Sequence, residues 1–157
     1  MGQSGHVWFL VGVITMSGTA VRSCTVPTGT SLLFPVVNAS YISTSPPNDE
    51  AFLRSQVDPV MDGASNLKAD IDGVSVPDIL SHREESTIFN VNLPDGNIFG
   101  VPAGTYGPSA DAGYYLMTTP LSVGKHIIHF HGTVPPFGPN PEFTLDITYH
   151  ITVSPGA

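Results

Sequence analysis

The chain of 157 residues has the length of one ordinary domain, and its apolar content of 41% is enough for a single hydrophobic core. Only 11% of the residues are charged, and thirteen acidic against five basic side chains give a net charge of −8. This balance argues against a nucleic-acid partner or an anionic lipid surface, whereas a cationic partner or a divalent cation is easier to accommodate. We predict one domain over residues 1–157, because no linker or charge run divides the chain.

The N-terminus carries an apolar run from Val7 to Met16. The run resembles the middle of a signal peptide, but no Lys or Arg precedes it, and it is too short to span a bilayer. We therefore expect a first β-strand over Val7–Ile14 and no membrane span. A secretion signal, where the protein has one, is expected to be absent from this chain.

Most of the remaining chain is predicted to form short strands separated by Gly- and Pro-rich turns. The clearest is residues 143–153, FTLDITYHITV, where apolar and polar residues alternate with a period of two. Asp72-Gly73 indicates a tight hairpin between two of the strands. The other candidates are Ala20–Thr25, Ser31–Val37, Leu67–Ile71, Val74–Val76, Thr87–Leu93, Tyr114–Thr118 and Lys125–His131.

One segment, residues 48–62, is predicted to be a helix. Asn48 is a plausible N-cap, and Leu53 and Val57 share one face. Pro59 disfavours helical geometry at the preceding residue, so we expect a kink or restart there. The pattern as a whole predicts an all-β fold, an antiparallel β-sandwich of jelly-roll or Ig-like type or a small barrel, with one short helix.

The segments VWFLVG, CTVPTGTSLLFPVVN, IDGVSV, NIFGVPAGTY, GYYLMTTPLSVGKHIIHF and LDITYHITV cover much of the chain. In texture they resemble a group of small secreted bacterial proteins that has no established activity. The resemblance implies a β-sandwich fold and a secreted, periplasmic or cell-envelope location. It brings no catalytic residues with it.

Three of the six histidines lie in the stretch GKHIIHFHG at residues 124–132. In a strand, His129 and His131 point to the same face with Cβ atoms roughly 6–7 Å apart, whereas His126 faces the other way. Burying Ile128 and Phe130 leaves only Ile127 exposed, while the opposite choice buries imidazoles without partners. We therefore predict that His129 and His131 point outward.

Pairing this strand with the C-terminal strand across a hairpin centred near residues 137–138 predicts a candidate metal site. In that register His129 lies opposite Asp146 and His131 opposite Thr144, with Glu142 nearby. Two imidazoles and one carboxylate suit zinc, copper or iron. A one-residue slip would place Ile147 opposite His129 and dissolve the site. His126 and His150 are weaker candidate ligands under other registers.

The stretch HFHG also resembles the His-x-His-Gly copper ligands of multicopper oxidases and other cupredoxin-like domains. The later Cys and Met ligands of a blue-copper site are missing from the sequence, and the cupin spacing does not fit. Outward-facing histidines without a ligand role are the simpler interpretation of the same residues.

Other candidate sites have less support. Ser109, Asp111 and His126 could supply a hydrolytic combination, but GPSADAG around the first two reads as a loop, and no nucleophile motif is present. The carboxylates near Asp72 do not have the spacing of a calcium loop. Cys24 has no partner for an internal disulfide and reads as a small buried residue. The aromatic side chains that could stack on a sugar are Trp8, Tyr106, Tyr114, Tyr115 and Phe137.

The sequence therefore favours a non-catalytic binding or structural domain that recognises a glycan or a protein. The alternative is a divalent-metal protein, or a metal-dependent hydrolase or oxidase, that uses His129, His131 and Asp146.

Overall fold

The computed structural model describes residues 3, 5–13, 18–44, 49–138 and 140–155. Within these ranges the chain forms ten β-strands, one α-helix and a short 3-10 helix over Ile79–His82. The strands are β1 (Val7–Phe9), β2 (Gly18–Pro27), β3 (Ser31–Ile42), β4 (Ser65–Ile71), β5 (Val74–Ser75), β6 (Arg83–Glu85), β7 (Phe89–Leu93), β8 (Gly104–Met117), β9 (Gly124–Val134) and β10 (Phe143–Ser154). The helix, α1, spans Glu50–Asp62. The all-β class with one helix is confirmed.

The strands form two sheets of five strands each. The first has the order β1–β3–β8–β6, with β7 also paired to β8, and the second has the order β2–β10–β9–β4–β5. Two pairs, β1 with β3 and β2 with β10, are parallel, and the others are antiparallel. Both sheets are therefore mixed, and an antiparallel β-sandwich is not confirmed. The parallel direction of β1 and β3 is possible because β2, which lies between them in sequence, belongs to the other sheet.

A shared hydrophobic core joins the two sheets. Phe34 of β3 stacks on Phe130 of β9 with ring centroids 5.0 Å apart, and Phe130 in turn lies 6.3 Å from the ring of Tyr149 on β10. Phe34 and Phe130 are fully buried. Because these rings come from strands far apart in sequence, their burial fixes which face of each sheet points inward.

The N-terminal segment crosses from the first sheet to the second immediately after β1. The side chain of Arg22 donates hydrogen bonds to the carbonyl oxygens of Val11 and Gly12, and the Tyr149 hydroxyl donates to Val11 at 2.7 Å. These donors hold residues 11 and 12 against the second sheet, and the first strand ends at Phe9. The predicted strand Val7–Ile14 is therefore too long, and Ile14 lies outside the described residues.

The helix begins at the N-cap Asp49, whose carboxylate accepts a hydrogen bond from the backbone N–H of Phe52 at 2.8 Å. The predicted N-cap Asn48 lies outside the described residues. The helix continues through Pro59 to Asp62 because Val60 and Met61, beyond the proline, bury their side chains in the core. Among the described residues no helix is long and apolar enough to cross a membrane.

Strand β8 is ten residues longer at its N-terminal end than the predicted strand Tyr114–Thr118. The segment GPSADAG, predicted to be a flexible loop, forms the middle of this strand and pairs with β3. Its small residues fit there because Ala110 and Ala112 are fully buried. Tertiary packing, rather than intrinsic strand preference, therefore decides the conformation of this segment.

Gly132 on β9 provides a test of the close packing between the sheets. A Cβ atom at this position would lie 2.6 Å from Cγ1 of Val37 on β3 and 2.9 Å from Cδ2 of Leu67 on β4. We expect Gly132→Ala to lower the free energy of unfolding by about 1–3 kcal/mol, measured by denaturant unfolding with an unchanged slope.

Gly104→Ala is the matched control, because a Cβ there would lie 3.6 Å from the Tyr106 ring, an ordinary contact distance. It should change the free energy of unfolding by no more than about 0.5 kcal/mol. Equal stability of the two variants would contradict the close approach at Gly132.

Candidate functional site

The outward face of β9 is the one that the sequence predicts. Ile128 and Phe130 are fully buried, whereas the side chains of His129 and His131 are partly exposed, and Ile127 is 48% exposed. The inward residues take part in the core described above. The predicted division of the histidines between the two faces is confirmed.

The register between β9 and β10 differs from the predicted one by two residues. Asp146 lies opposite His131, and Thr148, rather than Asp146, lies opposite His129. A shift of two residues keeps every side chain on its own face, so the site changes shape but is not dissolved. The predicted pairing of His131 with Thr144 is wrong, because Thr144 lies opposite Thr133.

Asp146 contacts both predicted histidines in the observed register. Nε2 of His129 lies 2.9 Å from Oδ1 of Asp146, a diagonal hydrogen bond, and Nδ1 of His131 lies 3.9 Å from Oδ2. The other ring nitrogen of His129 faces Asp70 on β4 at 3.7 Å, and Lys68 lies opposite His131. His129 therefore lies between two carboxylates from neighbouring strands.

This arrangement differs from a metal centre. Across the part of the chain that the structure describes, no group of three or more His, Cys, Asp or Glu side chains is placed to hold a metal ion. Nε2 of His129 is already engaged by Asp146. Glu142 precedes β10 and His150 lies four residues beyond Asp146, roughly 13 Å away along an extended strand, so neither completes the set.

His126 belongs to a separate hydrogen-bonded group. Its Nδ1 lies 2.7 Å from a carboxylate oxygen of Asp72, and its Nε2 lies 2.8 Å from the carbonyl oxygen of Ser122. Both neighbours are acceptors, so only the doubly protonated ring can donate to both. The hydrogen bond to Asp72, followed by the one to Ser122, raises the pKa of His126, and the same contact with His126 lowers the pKa of Asp72.

Asp72 owes its place to the turn between β4 and β5. Asp72 and Gly73 have φ angles of 53° and 77°, as a two-residue hairpin turn requires, so the predicted hairpin is confirmed. The other carboxylate oxygen of Asp72 accepts from the backbone N–H of Ile127 at 2.8 Å. The Asp72-Gly73 pair in the sequence predicts the turn. Its pairing with His126 depends on β4 lying beside β9, and the alternation of apolar and polar residues does not show which strands are neighbours.

An open cleft of about 1010 Å³ lies on the outward side of the second sheet, next to this turn. Its centre is the row Ile127, His150 and Ser23, which lie opposite one another on β9, β10 and β2. His129 and Asp70 border one side of the row, and Lys125 borders the other. The cleft therefore offers hydrogen-bond donors and acceptors around one exposed aliphatic side chain.

The structure does not bring Ser109, Asp111 and His126 together. Ser109 and Asp111 lie on β8 in the first sheet, Ser109 is fully buried, and His126 lies in the second sheet paired with Asp72. The structure therefore agrees with the sequence in giving this combination no support.

The carboxylate of Asp111 instead accepts hydrogen bonds from Asn38, Ser40 and Tyr115 on the outward face of β3 and β8. Burial, followed by the hydrogen bond to this carboxylate, raises the pKa of the Tyr115 hydroxyl. The sequence gives no signal for this cluster, because its members become neighbours only through the register of the two strands.

The aromatic candidates do not form a common platform. Tyr114 is buried and Tyr115 faces the other way, as their adjacency predicts, while Trp8 and Phe137 pack against the core. Cys24 is half-buried against the core, and burial raises the pKa of its thiol. Its interpretation as a small buried residue is therefore confirmed only in part.

No protein-family model and no curated protein matches the chain. Solved structures that it resembles include PbICP-C in complex with falcipain-2, at 11% identity and a TM-score of 0.33, covering 96% of this chain and 100% of that one. Another is the solution structure of Amebosin, at 11% identity and a TM-score of 0.26, covering 95% of this chain and 100% of that one. Likeness at this level carries no argument about function, and the resemblance to secreted bacterial proteins stays a prediction.

The pair of His126 and Asp72 predicts a specific dependence of stability on pH. The raised pKa of His126 stabilises the fold fully below its ordinary value of about 6.5, and this contribution is lost as the pH rises through the folded-state pKa. The lowered pKa of Asp72 stabilises the fold above its ordinary value of about 3.9, and that contribution is lost as the pH falls through the folded-state pKa. Asp72→Asn keeps the turn but removes the charge.

The difference in unfolding free energy between wild type and Asp72→Asn should therefore be largest between about pH 4 and pH 6.5 and shrink on both sides. Urea unfolding of both proteins from about pH 3 to about pH 9 measures it. Asp95→Asn changes the carboxylate of another Asp-Gly pair that is in none of the described ion pairs with histidine, so its difference should stay flat above about pH 6.5, where the loss of the His126 pairing acts. The same flat profile for Asp72→Asn would contradict the pairing.

Proposed function

We propose that this protein is a non-catalytic, secreted or envelope-exposed binding domain that recognises a glycan in the open cleft of its second sheet. The observation that carries the proposal is the exposed side chain of Ile127 at the centre of the cleft, surrounded by groups that donate and accept hydrogen bonds. A sugar ring matches such a surface, because it has an aliphatic face and a periphery of hydroxyl groups.

The charges around the cleft support a neutral ligand. Asp70 and Asp72 line the cleft together with Lys125 and the imidazoles of His126 and His129, so acidic and basic groups are both present. A phosphate-bearing ligand would meet the two carboxylates and a protein of net charge −8. A purely apolar ligand would leave the polar groups of the cleft without partners.

The hydrogen bonds of the histidines support binding rather than catalysis. His126 is bonded to Asp72 and to a backbone carbonyl, and His129 is bonded to Asp146. Among the described hydrogen bonds, none joins a hydroxyl or thiol to either imidazole, so the pairing that activates a nucleophile is not formed.

The strand order supports an Ig-like arrangement as the finer description of the fold. With β3 as strand B, the first sheet has the order A–B–E–D, and β9, β10 and β4 take the places of F, G and C. The departures are the two parallel pairs and the insertion of α1 between β3 and β4. In this description the cleft lies on the sheet that contains F, G and C.

A glycan array with plant and microbial polysaccharides, followed by titration of each hit, tests the proposal. We expect Ile127→Ser and His150→Ala each to weaken binding about tenfold or more. The first removes the aliphatic surface for the sugar ring, and the second removes a hydrogen-bonding group beside it. Met117→Ser is the matched control for Ile127→Ser, because Met117 is an exposed apolar strand residue of the other sheet. No hit with the wild type, or equal losses with Met117→Ser, would contradict glycan binding in this cleft.

A divalent-metal protein is the second candidate, and the contact of Asp146 with both His129 and His131 favours it. Metal binding would require Asp146 to release its hydrogen bond to His129, so metal should compete with that contact. We expect Zn²⁺ or Cu²⁺ to raise the melting temperature of the wild type and to leave the double variant His129→Ala/His131→Ala unchanged, measured without a His-tag. Equal stabilisation of both proteins would exclude this site, and no stabilisation of either would exclude metal binding.

A further inference from the structure

The loop between β7 and β8, residues 94–103, exposes two adjacent large apolar side chains. Ile98 is 69% exposed and Phe99 is 53% exposed. They occupy the two central positions of a turn closed by the hydrogen bond from the N–H of Gly100 to the carbonyl of Asn97 at 3.1 Å. Such positions are usually polar, and this turn type does not itself require Ile or Phe. Neither side chain is therefore explained by the fold.

The loop holds this pair in a defined geometry. The side chain of Asn97 donates to the carbonyl oxygens of Pro94 at 2.9 Å and Val101 at 2.7 Å, and its own oxygen accepts from the N–H of Phe99 at 3.1 Å. Asn97 thus ties both ends of the turn together. Because the backbone of the turn is already held in this way, binding through it requires little further ordering of the loop, which is a property of binding anchors.

The charge of the loop and of the chain indicates the kind of partner. Asp95 is the only charged residue in the loop, and the whole protein has a net charge of −8. Anionic lipid is repelled by this charge, and the loop has no Lys or Arg to attach it to a membrane surface. A second copy of the chain is repelled for the same reason. A protein whose apolar pocket is rimmed by basic side chains is complementary in both shape and charge.

We propose that the β7–β8 loop is a protein-docking element, in which Ile98 and Phe99 insert into an apolar, basic-rimmed pocket of a partner protein. This surface belongs to the first sheet and is separate from the cleft of the second sheet. The inference therefore does not depend on glycan binding.

A synthetic pocket of the stated chemistry tests the loop. The probe is a water-soluble calixarene whose rim carries trimethylammonium groups, titrated into the full chain and followed by amide NMR shifts. We expect shifts centred on residues 97–100, and an affinity about tenfold lower for Phe99→Ser. Asn97→Ala keeps both apolar side chains but releases the turn, so it should also weaken binding. Leu80→Ser, which removes another exposed apolar side chain, should leave the affinity unchanged.

Results of three kinds would overturn the proposal. The first kind comes from the calixarenes. An absence of shifts in the loop would contradict the apolar contact, and equal binding of the same calixarene carrying sulfonates would contradict the charge complementarity. The second is Phe99-dependent binding to vesicles of phosphatidylcholine and phosphatidylglycerol, which would assign the loop to a membrane surface. The third is self-association in sedimentation velocity that Phe99→Ser abolishes, which would assign it to a second copy of the chain.

Discussion

The stacking of Phe34 on Phe130 is the contact on which the arrangement of the second sheet depends. It joins the sheets through two fully buried rings 5.0 Å apart, so β9 can present only one of its faces to the core. Every second residue of β9 then points outward, including Ile127, His129 and His131. A shift of one residue would bury the imidazoles and expose Phe130 and Ile128, at a cost that the fold does not recover elsewhere. The burial of Phe130 thus determines which side chains of β9 lie on the outer face of the sheet.

The same constraint explains what could be predicted from the sequence. Alternation with a period of two identifies the inward face of β9 and β10, and that prediction is confirmed. A shift of two residues preserves the alternation, so the pattern cannot distinguish the predicted register from the observed one. The difference arises in the connection between the strands. Phe137 and Asn140 form a bridge in the same register as the ladder, so the centre of the hairpin lies one residue beyond the predicted one. Asp146 still meets His129, but diagonally across the ladder rather than directly.

The sequence does not predict the elements that form only by pairing with segments far away along the chain. The segment GPSADAG has the composition of a loop but forms part of β8, because β3 pairs with it on one side and β6 and β7 pair with it on the other. The parallel pairing of β2 with β10 joins segments near opposite ends of the chain, and no local pattern indicates its direction. The cluster around Asp111 and the pairing of Asp72 with His126 have the same origin. Each needs a strand register before its members become neighbours.

The two halves of the outer face have different physical roles. Around His129 the charged groups are matched among themselves, with Asp70 and Asp146 on either side of the imidazole. Around Ile127 the surface is open, and the His126–Asp72 pair fixes the turn that borders it. Because the cleft and the pair share Asp72, a ligand that prefers the paired turn must favour the protonated form of His126 by the same factor by which protonation favours the ligand. On the proposed function, binding of such a ligand would therefore be coupled to proton binding at His126 through the position of Asp72.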